Sequence, residues 1–176
     1  RTVKLMDVCR LRTTPIITFV NKMDREARDP IDLMDEIEDI LNIQCAPITW
    51  PIGMGKNFKG VFNLATNTVH FFSATHGGKI QQGDVVEGLD NPQLDEILGP
   101  MAEELRDEID LVKGASHEFD HESYLKGELT PVFFGSGINN FGVAELLDAL
   151  KRRQVRPFPD LEVGTVIHRV GRKQPP

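Results

Sequence analysis

Two short apolar runs, residues 16–20 and 129–134, carry hydrophobic side chains on both of their alternating faces. β-branched and aromatic residues on both faces predict strands that are covered on both sides, as in a parallel sheet with helices on each face. Each run leads into a polar loop and then into a segment with helical periodicity. This repeated order of strand, loop and helix predicts an open α/β sheet, in which ligands bind at the carboxyl ends of the strands.

Apolar residues at three- and four-residue spacing predict amphipathic helices in several segments. In the first of them, an apolar stripe that includes Val3, Leu5 and Leu11 is expected to face a core. Asp29 and Pro30 suit a helix cap and the first helical position, and Gly99 with Pro100 is expected to break a longer helix in two. The predicted helical segments are 2–12, 30–41, 92–112, 118–126 and 142–152.

Between the two apolar runs, residues 44–88 have a different texture. Short β-prone runs at 46–51, 58–64 and 68–73 are separated by glycine and asparagine, which predicts a small antiparallel insertion. Its aromatic residues leave two interpretations open, since they either form an exposed docking surface or pack within the insertion. These residues are Trp50, Phe58 and Phe62.

Composition narrows the class of protein. The chain has 176 residues, 27% of them charged, and a formal net charge of -7, which argues against electrostatic wrapping of a nucleic acid. No apolar run approaches the roughly 20 residues of a membrane span. No Cys/His cluster has zinc-ligand spacing. Cys9 and Cys45 lie in apolar contexts far apart, so we expect reduced, buried thiols in a cytoplasmic protein with no disulfide-linked partner.

The loop after the first apolar run reads Asn21-Lys22-Met23-Asp24. A guanine ring presents its N1 hydrogen beside its exocyclic amino group, and one carboxylate can accept both. We expect Asp24 to do so, Asn21 to reach N7 or to brace a neighbouring loop, and Lys22 to lay its aliphatic stem along the base. Met23 is expected to point elsewhere. The alternative is that Asn21 and Asp24 only cap the next helix or close a turn.

The loop after the second apolar run reads Gly135-Ser136-Gly137. A backbone N–H near Gly137 is expected to donate to the carbonyl oxygen of guanine, so that the two loops read opposite parts of one base edge. The alternative is a turn in which glycine supplies a positive φ angle. The position of the loop between a buried strand and a helix favours binding. Ser136 and Gly137 therefore join the first loop as candidate site residues.

The stretch Gly53-Met54-Gly55-Lys56 resembles a phosphate loop only superficially. Such a loop requires glycine where Trp50 stands and serine or threonine where Asn57 stands. Phosphoryl transfer depends on a phosphate loop and a metal held by serine or threonine and aspartate, and no complete set is present in this sequence. We therefore predict that this stretch of chain reads the base, contributes no catalytic residue and no metal ligand, and does not hydrolyse the nucleotide alone.

Longer runs around these motifs resemble the GTPase domain of bacterial peptide chain release factor three, a class II release factor among the translational GTPases. Residues 18–25 read TFVNKMDR and residues 45–53 read CAPITWPIG. The run at 45–53 and the run GASHEFD at 114–120 are less expected in elongation factor G, the nearest translational relative. The resemblance covers about residues 1–150, through runs at 4–12, 18–25, 45–53, 114–120 and 129–135.

The resemblance implies a fold class and a function. The fold would be α/β, the C-terminal part of a P-loop GTPase-type parallel sheet with flanking helices and a small antiparallel insertion. The cofactor would be GTP or GDP, with Mg²⁺ expected only together with motifs upstream of this chain. The protein would bind the ribosome after peptide release and eject a class I release factor, with no membrane partner. Its fourth guanine-nucleotide motif would be Asn21, Lys22 and Asp24, and its fifth would be Ser136 and Gly137. Ile138 stands where many relatives have a lysine that packs on the base.

The expected domain organisation is a partial GTP-binding domain at 1–150, lacking the phosphate loop and switch regions, with an insertion at about 44–88. Residues 151–176 do not resemble the corresponding part of that family, and we expect a linker or a divergent tail with one strand at 165–170. Two other functions stay open. In the first alternative, the chain would come from an elongation factor G-like GTPase. In the second, it would be a non-catalytic module that binds the ribosome.

Overall fold

The computed structural model describes residues 2–72 and 85–151, together with the backbone of a strand at 165–169. The helices among these residues are α1 (Thr2–Leu11), α2 (Pro30–Leu41), α3 (Pro92–Leu98), α4 (Met101–Ala115), α5 (His121–Lys126) and α6 (Val143–Lys151). The strands are β1 (Ile17–Asn21), β2 (Gln44–Pro47), β3 (Thr49–Ile52), β4 (Gly60–Asn63), β5 (Thr68–Phe71), β6 (Val85–Glu87), β7 (Leu129–Gly135) and β8 (Thr165–Arg169).

The first sheet is parallel and has the strand order β2-β7-β1-β8. Its neighbouring strands β1 and β7 are the two apolar runs of the sequence. Val20 and Phe134 belong to one hydrophobic cluster that includes α2 residues, whereas Phe19 and Phe133 belong to another that includes α5 and α6 residues. Helices therefore cover both faces, and the predicted α/β fold with buried parallel strands is confirmed.

The register of β1 and β7 brings their carboxyl ends level. Asn21, the last residue of β1, pairs with Gly135, the last residue of β7. Deeper in the sheet, the hydroxyls of Thr18 and Thr130 lie 2.9 Å apart, and Thr130 Oγ1 donates to the carbonyl of Ile16 at 2.9 Å. These bonds satisfy hydroxyl groups that are buried without access to water. The loops that follow β1 and β7 thus begin side by side.

The second sheet is antiparallel, with the order β3-β4-β5-β6. The predicted antiparallel insertion is confirmed for these strands but is wrong at its start, because Gln44–Pro47 forms β2 of the parallel sheet. Ile48 separates β2 from β3, and its N–H donates to the carbonyl of Val132 at 2.9 Å. A short apolar run does not reveal where it crosses from one sheet to another, which explains the error.

The aromatic residues of the insertion pack inside the molecule. Trp50 is 1% exposed, and Phe58 and Phe62 are also buried, so the packing interpretation is confirmed and the docking interpretation is wrong. The indole N–H of Trp50 donates to Glu108 Oε2 on α4 at 2.9 Å, and its ring meets Phe134 of β7 edge-on at 5.4 Å. Trp50 therefore joins β3, β7 and α4.

Most helix predictions are confirmed. Asp29 caps α2 by accepting the N–H of Ile31 at 2.8 Å, and Gly99 with a φ of 57° separates α3 from α4. The exception is the apolar stripe of α1, where only Met6 is fully buried and Cys9 is partly buried. The expectation that this stripe faces a core is wrong, because the described residues that pack on α1 cover Met6 and leave most of the stripe uncovered. Val3, Leu5, Val8 and Leu11 are exposed.

The expected strand at 165–170 corresponds to β8, which runs parallel to β1 and aligns Arg169 with Asn21. The rest of the predicted tail after Lys151 lies outside the described residues. Cys9 and Cys45 are free cysteines, and burial raises the pKa of the Cys45 thiol above its ordinary range. Among the described residues, no helix is long and apolar enough to cross a membrane.

Candidate functional site

Asn21 joins the two candidate loops. Its side-chain oxygen accepts the backbone N–H of Lys22 at 2.8 Å and the backbone N–H of Gly137 at 2.8 Å. Of the two roles predicted for Asn21, the structure contains the brace to the neighbouring loop. Gly137 N–H is engaged in this bond, so the predicted donation to a base carbonyl would have to come from another backbone N–H near Gly137. The loops after β1 and β7 are nevertheless held together, as the site hypothesis requires.

The backbone turns sharply at Lys22, which has a φ of 76°. For a side chain other than glycine or asparagine this left-handed conformation is uncommon and costs on the order of 1 kcal/mol or more. The next residue holds it in place, because Met23 N–H donates to the carbonyl of Gly135 at 3.1 Å and Met23 O accepts from Gly55 N–H at 3.0 Å. The Met23 side chain is fully buried, which confirms that it points away from the site.

Asp24 carries an unusual acceptor. Its Oδ1 atom is buried and has no hydrogen-bond partner among the described residues. A buried acceptor without a donor costs about 1–3 kcal/mol and calls for an explanation. Helix capping does not supply one, since Asp29 rather than Asp24 caps α2. The arrangement leaves a carboxylate oxygen ready for a donor that the described residues do not provide.

The second loop is closed at its base. Ser136 is buried and exchanges two backbone hydrogen bonds with Phe141, both of 2.9 Å. Beyond Gly137, which is exposed, the backbone N–H of Ile138 has no acceptor in the part of the chain that the structure describes, and the Ile138 side chain is 83% exposed. The N–H of Ile138, the residue after Gly137, is therefore a donor that no described residue engages.

The glycine of this loop that the fold requires is Gly135. A Cβ atom there would lie 2.3 Å from the carbonyl oxygen of Phe141, so the loop closes only because the side chain is absent. Neither Gly135 nor Gly137 has a positive φ, so the alternative of a positive-φ turn at these residues is wrong. A positive φ occurs instead at Gly142, where the chain enters α6.

The stretch around Gly55 has a structural role beside the first loop. Residues Gly55–Asn57 form a short 3-10 turn, and Gly53 and Gly55 both have positive φ angles. Besides the bond from Gly55 N–H to Met23, a Cβ at Gly55 would lie 3.3 Å from the backbone nitrogen of Glu26. In the sequence, Gly53 and Gly55 are the only sign of this contact with Met23. Taken alone, they resemble part of a phosphate loop and do not predict the contact.

Other residues near the second loop had no signal in the sequence. The ring of Phe141 meets Phe58 and Phe72 edge-on, each at 5.1 Å. His70 Nδ1 on β5 lies 3.2 Å from Glu145 Oε1 on α6. These contacts join residues far apart in the chain, so no local pattern predicts them. Within 2–72 and 85–151, no group of three or more His, Cys, Asp or Glu side chains is arranged to hold a metal ion.

Comparison with known proteins supports the fold and names the family. A solved crystal structure of a protein from Thermus thermophilus superimposes with a TM-score of 0.53 at 21% sequence identity, and the match covers 84% of this chain and 23% of that chain. The chain thus spans about a quarter of that protein. The family described as Elongation factor Tu GTP binding domain matches residues 1–154. Since the match extends over most of the sequence, the chain belongs to the elongation factor Tu GTP-binding domain family.

Proposed function

We propose that the loops after β1 and β7 read the guanine base of GTP or GDP in a translational GTPase. Membership of a GTP-binding family supports a guanine nucleotide as ligand. The observation that carries the residue assignment is the buried Oδ1 of Asp24, which lacks a donor among the described residues. The N1 hydrogen and the amino group of guanine are the pair of donors that a carboxylate is suited to accept.

Each candidate residue has a separate task in this proposal. Asp24 accepts the two guanine hydrogens, and Lys22 covers the base face with its aliphatic stem. Asn21 holds the second loop in place through Gly137 N–H, and the neighbouring N–H of Ile138 is open to the guanine carbonyl. Ser136 closes the second loop through its bonds to Phe141. Adenine would leave the Asp24 carboxylate facing an acceptor at N1, so the site disfavours it.

Phosphate binding and hydrolysis are not assigned to these residues. GTP hydrolysis requires a phosphate loop and Mg²⁺ ligands, and residues 1–176 contain no complete set of these motifs. The contribution of this chain is base selection. Its isolated affinity for a nucleoside is expected to be weak, with a dissociation constant on the order of 1 mM, about -4 kcal/mol.

Asp24→Asn tests the base assignment directly. Titration of the chain with guanosine, xanthosine and adenosine, followed by NMR shifts of the backbone amides, gives the three affinities. The substitution replaces an acceptor with a donor, so guanosine binding should weaken at least about 10-fold while xanthosine, which carries an oxygen in place of the amino group, gains. Asp29→Asn makes the same chemical change at the cap of α2 and should leave all three affinities unchanged.

An unchanged guanosine affinity in Asp24→Asn would remove the base-reading assignment. Magnesium-dependent GTP turnover by the chain alone, above background, would remove the separate proposal that it does not hydrolyse the nucleotide.

We place the whole protein in the cytoplasm, at the ribosome, where it ejects class I release factors after peptide release. This finer role is supported by the five sequence runs that resemble release factor three. Its test is the GTP-dependent loss of a labelled class I release factor from termination complexes when a polypeptide containing this chain is added. Translocation activity instead would favour an elongation factor G-like parent. Sedimentation of the chain with ribosomes equally with and without GTP would favour a non-catalytic binding module.

A further inference from the structure

The antiparallel sheet contacts the first candidate loop through the turn that follows β3. Gly55 N–H donates to Met23 O, and Met23 N–H donates in turn to Gly135 O at the end of β7. The peptide groups of Met23 are therefore held between the two sheets. Any movement of the Gly55 turn acts on the residue that lies between Lys22 and Asp24.

The same sheet contacts the second candidate loop through an aromatic cluster. The ring of Phe141 is held by Phe58, which precedes β4, and by Phe72, which follows β5. Phe58 and Phe72 also contact each other, with ring centroids 6.1 Å apart. The backbone of Phe141 closes the loop by pairing with Ser136. One residue thus couples loop closure to the position of the antiparallel sheet.

A polar contact lies beside this cluster. His70 Nδ1 on β5 is 3.2 Å from Glu145 Oε1, and the Glu145 side chain is only 8% exposed. His70 is fixed from its other side, because Nε2 lies 3.0 Å from Thr68 Oγ1. Glu145 Oε2 is buried and has no hydrogen-bond partner among the described residues, so within that part of the chain His70 is the polar contact of this carboxylate. It connects β5 to the first turn of the helix that follows the second loop.

From these three contacts we infer that the antiparallel sheet positions both base-reading loops, with Phe141 and the His70–Glu145 pair as positioning residues. The inference rests on the proposed base-reading function and adds to it residues that do not touch the base. Asn21 links the loops to each other, and the antiparallel sheet links both of them to a common support. Base affinity then depends on how firmly the sheet holds the loops, since small misplacements of binding groups weaken recognition strongly.

The test uses Phe141→Leu and Glu145→Gln, with Phe71→Leu as the matched control. Phe71 lies on β5 beside His70, is partly buried, and makes no ring contact with another aromatic residue in the described part of the chain. All three variants are compared for thermal unfolding, for hydrogen exchange of the Gly137 amide, and for guanosine affinity by NMR titration. Gly137 exchange reports on the loop brace without any nucleotide present.

In Phe141→Leu and Glu145→Gln, Gly137 exchange is expected to accelerate about 10-fold relative to the control, because the loop opens more often. Guanosine affinity should fall about 10-fold in these variants and by less than about 2-fold in Phe71→Leu at similar thermal stability. Unchanged Gly137 exchange in both variants would overturn the inference. If the wild-type chain does not prefer guanosine over adenosine, the proposed function fails, whereas the exchange rates still decide whether the sheet supports the loops.

Discussion

The carboxyl edge of the parallel sheet and the layer between the antiparallel sheet and α4 differ in how their buried polar atoms are paired. At the first, Asp24 Oδ1 is buried without a partner among the described residues. In the second, the Trp50 indole is matched to Glu108. An unpaired acceptor weakens a fold, whereas a paired one is close to neutral or stabilising. This difference is what our proposal requires, in which the edge of the parallel sheet binds a base and the contact between Trp50 and α4 stabilises the fold.

We expect the largest change in stability from a substitution in the layer between the antiparallel sheet and α4. Trp50→Ala should lower the free energy of unfolding by about 3–5 kcal/mol, because it leaves a cavity where β3, β7 and α4 meet. Urea denaturation followed by circular dichroism measures this change. Trp50→Phe keeps an aromatic ring but removes the donor to Glu108, and its smaller loss separates packing from hydrogen bonding. A loss below about 1 kcal/mol in Trp50→Ala would show that the two sheets are not joined there.

At the carboxyl edge of the parallel sheet, we expect a smaller change in the free energy of unfolding, with the opposite sign. Asp24→Ala should raise the free energy of unfolding by about 1 kcal/mol in nucleotide-free solution, since it removes a buried acceptor that lacks a partner. The same variant should lose its preference for guanosine. Urea midpoints at fixed pH, with Asp29→Ala as a variant expected to be destabilised by loss of a helix cap, give the comparison. Destabilisation by Asp24→Ala would mean that the carboxylate has a structural partner after all.

The smallest expected effect concerns pH. Burial raises the pKa of the Glu108 carboxyl above its ordinary value, and the hydrogen bond from Trp50 only partly opposes this. As the pH rises, the unfolded chain loses this proton first, so the folded state binds more protons just above the ordinary glutamate pKa of about 4.3. Stability conferred by the protonated group is therefore present at low pH and is lost as the pH rises through the folded pKa.

Glu108→Gln should flatten that part of the stability profile, because the amide does not titrate and still offers an acceptor to Trp50. Urea midpoints between about pH 4 and 7 are the measurement. An identical slope in the variant and the wild type would assign the pH dependence to other carboxyl groups. Asp95→Asn serves as a comparison, since the pKa of Asp95 is lowered, chiefly by its hydrogen bond with Arg106, and its loss should change the profile in the opposite sense.

The parts of the fold that local residue patterns determine could be predicted from the sequence. Ile17–Asn21 and Leu129–Gly135 were predictable because both faces of each strand are apolar, and α2 was predictable because Asp29 and Pro30 mark its start. The errors fell where partners elsewhere in the chain decide the outcome. The helical periodicity of α1 predicts an apolar stripe but does not show how much of that stripe another element covers. The residues of β2 resemble those of the antiparallel strands that follow, so the sequence alone did not separate β2 from the insertion.

The candidate site divides in the same way. Asn21, Lys22 and Asp24 were recognisable as candidates from residue type and from their position after a buried strand, and in the structure Asn21 accepts a hydrogen bond from Gly137 of the second loop. The geometry that links them was not recognisable. That Gly137 donates to Asn21, and that Phe141 and Glu145 contact the antiparallel sheet, depends on residues between 21 and 145 meeting in space.

Lys22 offers a last consequence, visible when it is set beside the other non-glycine residues with positive φ. Three of those are asparagines, at 42, 67 and 140, the residue type that accepts this backbone shape most readily. An asparagine or glycine at position 22 would relieve the turn, so selection for thermostability alone should favour either over lysine. A stabilised redesign that accepts such a replacement would improve the scaffold while discarding the aliphatic cover that we assign to the purine face.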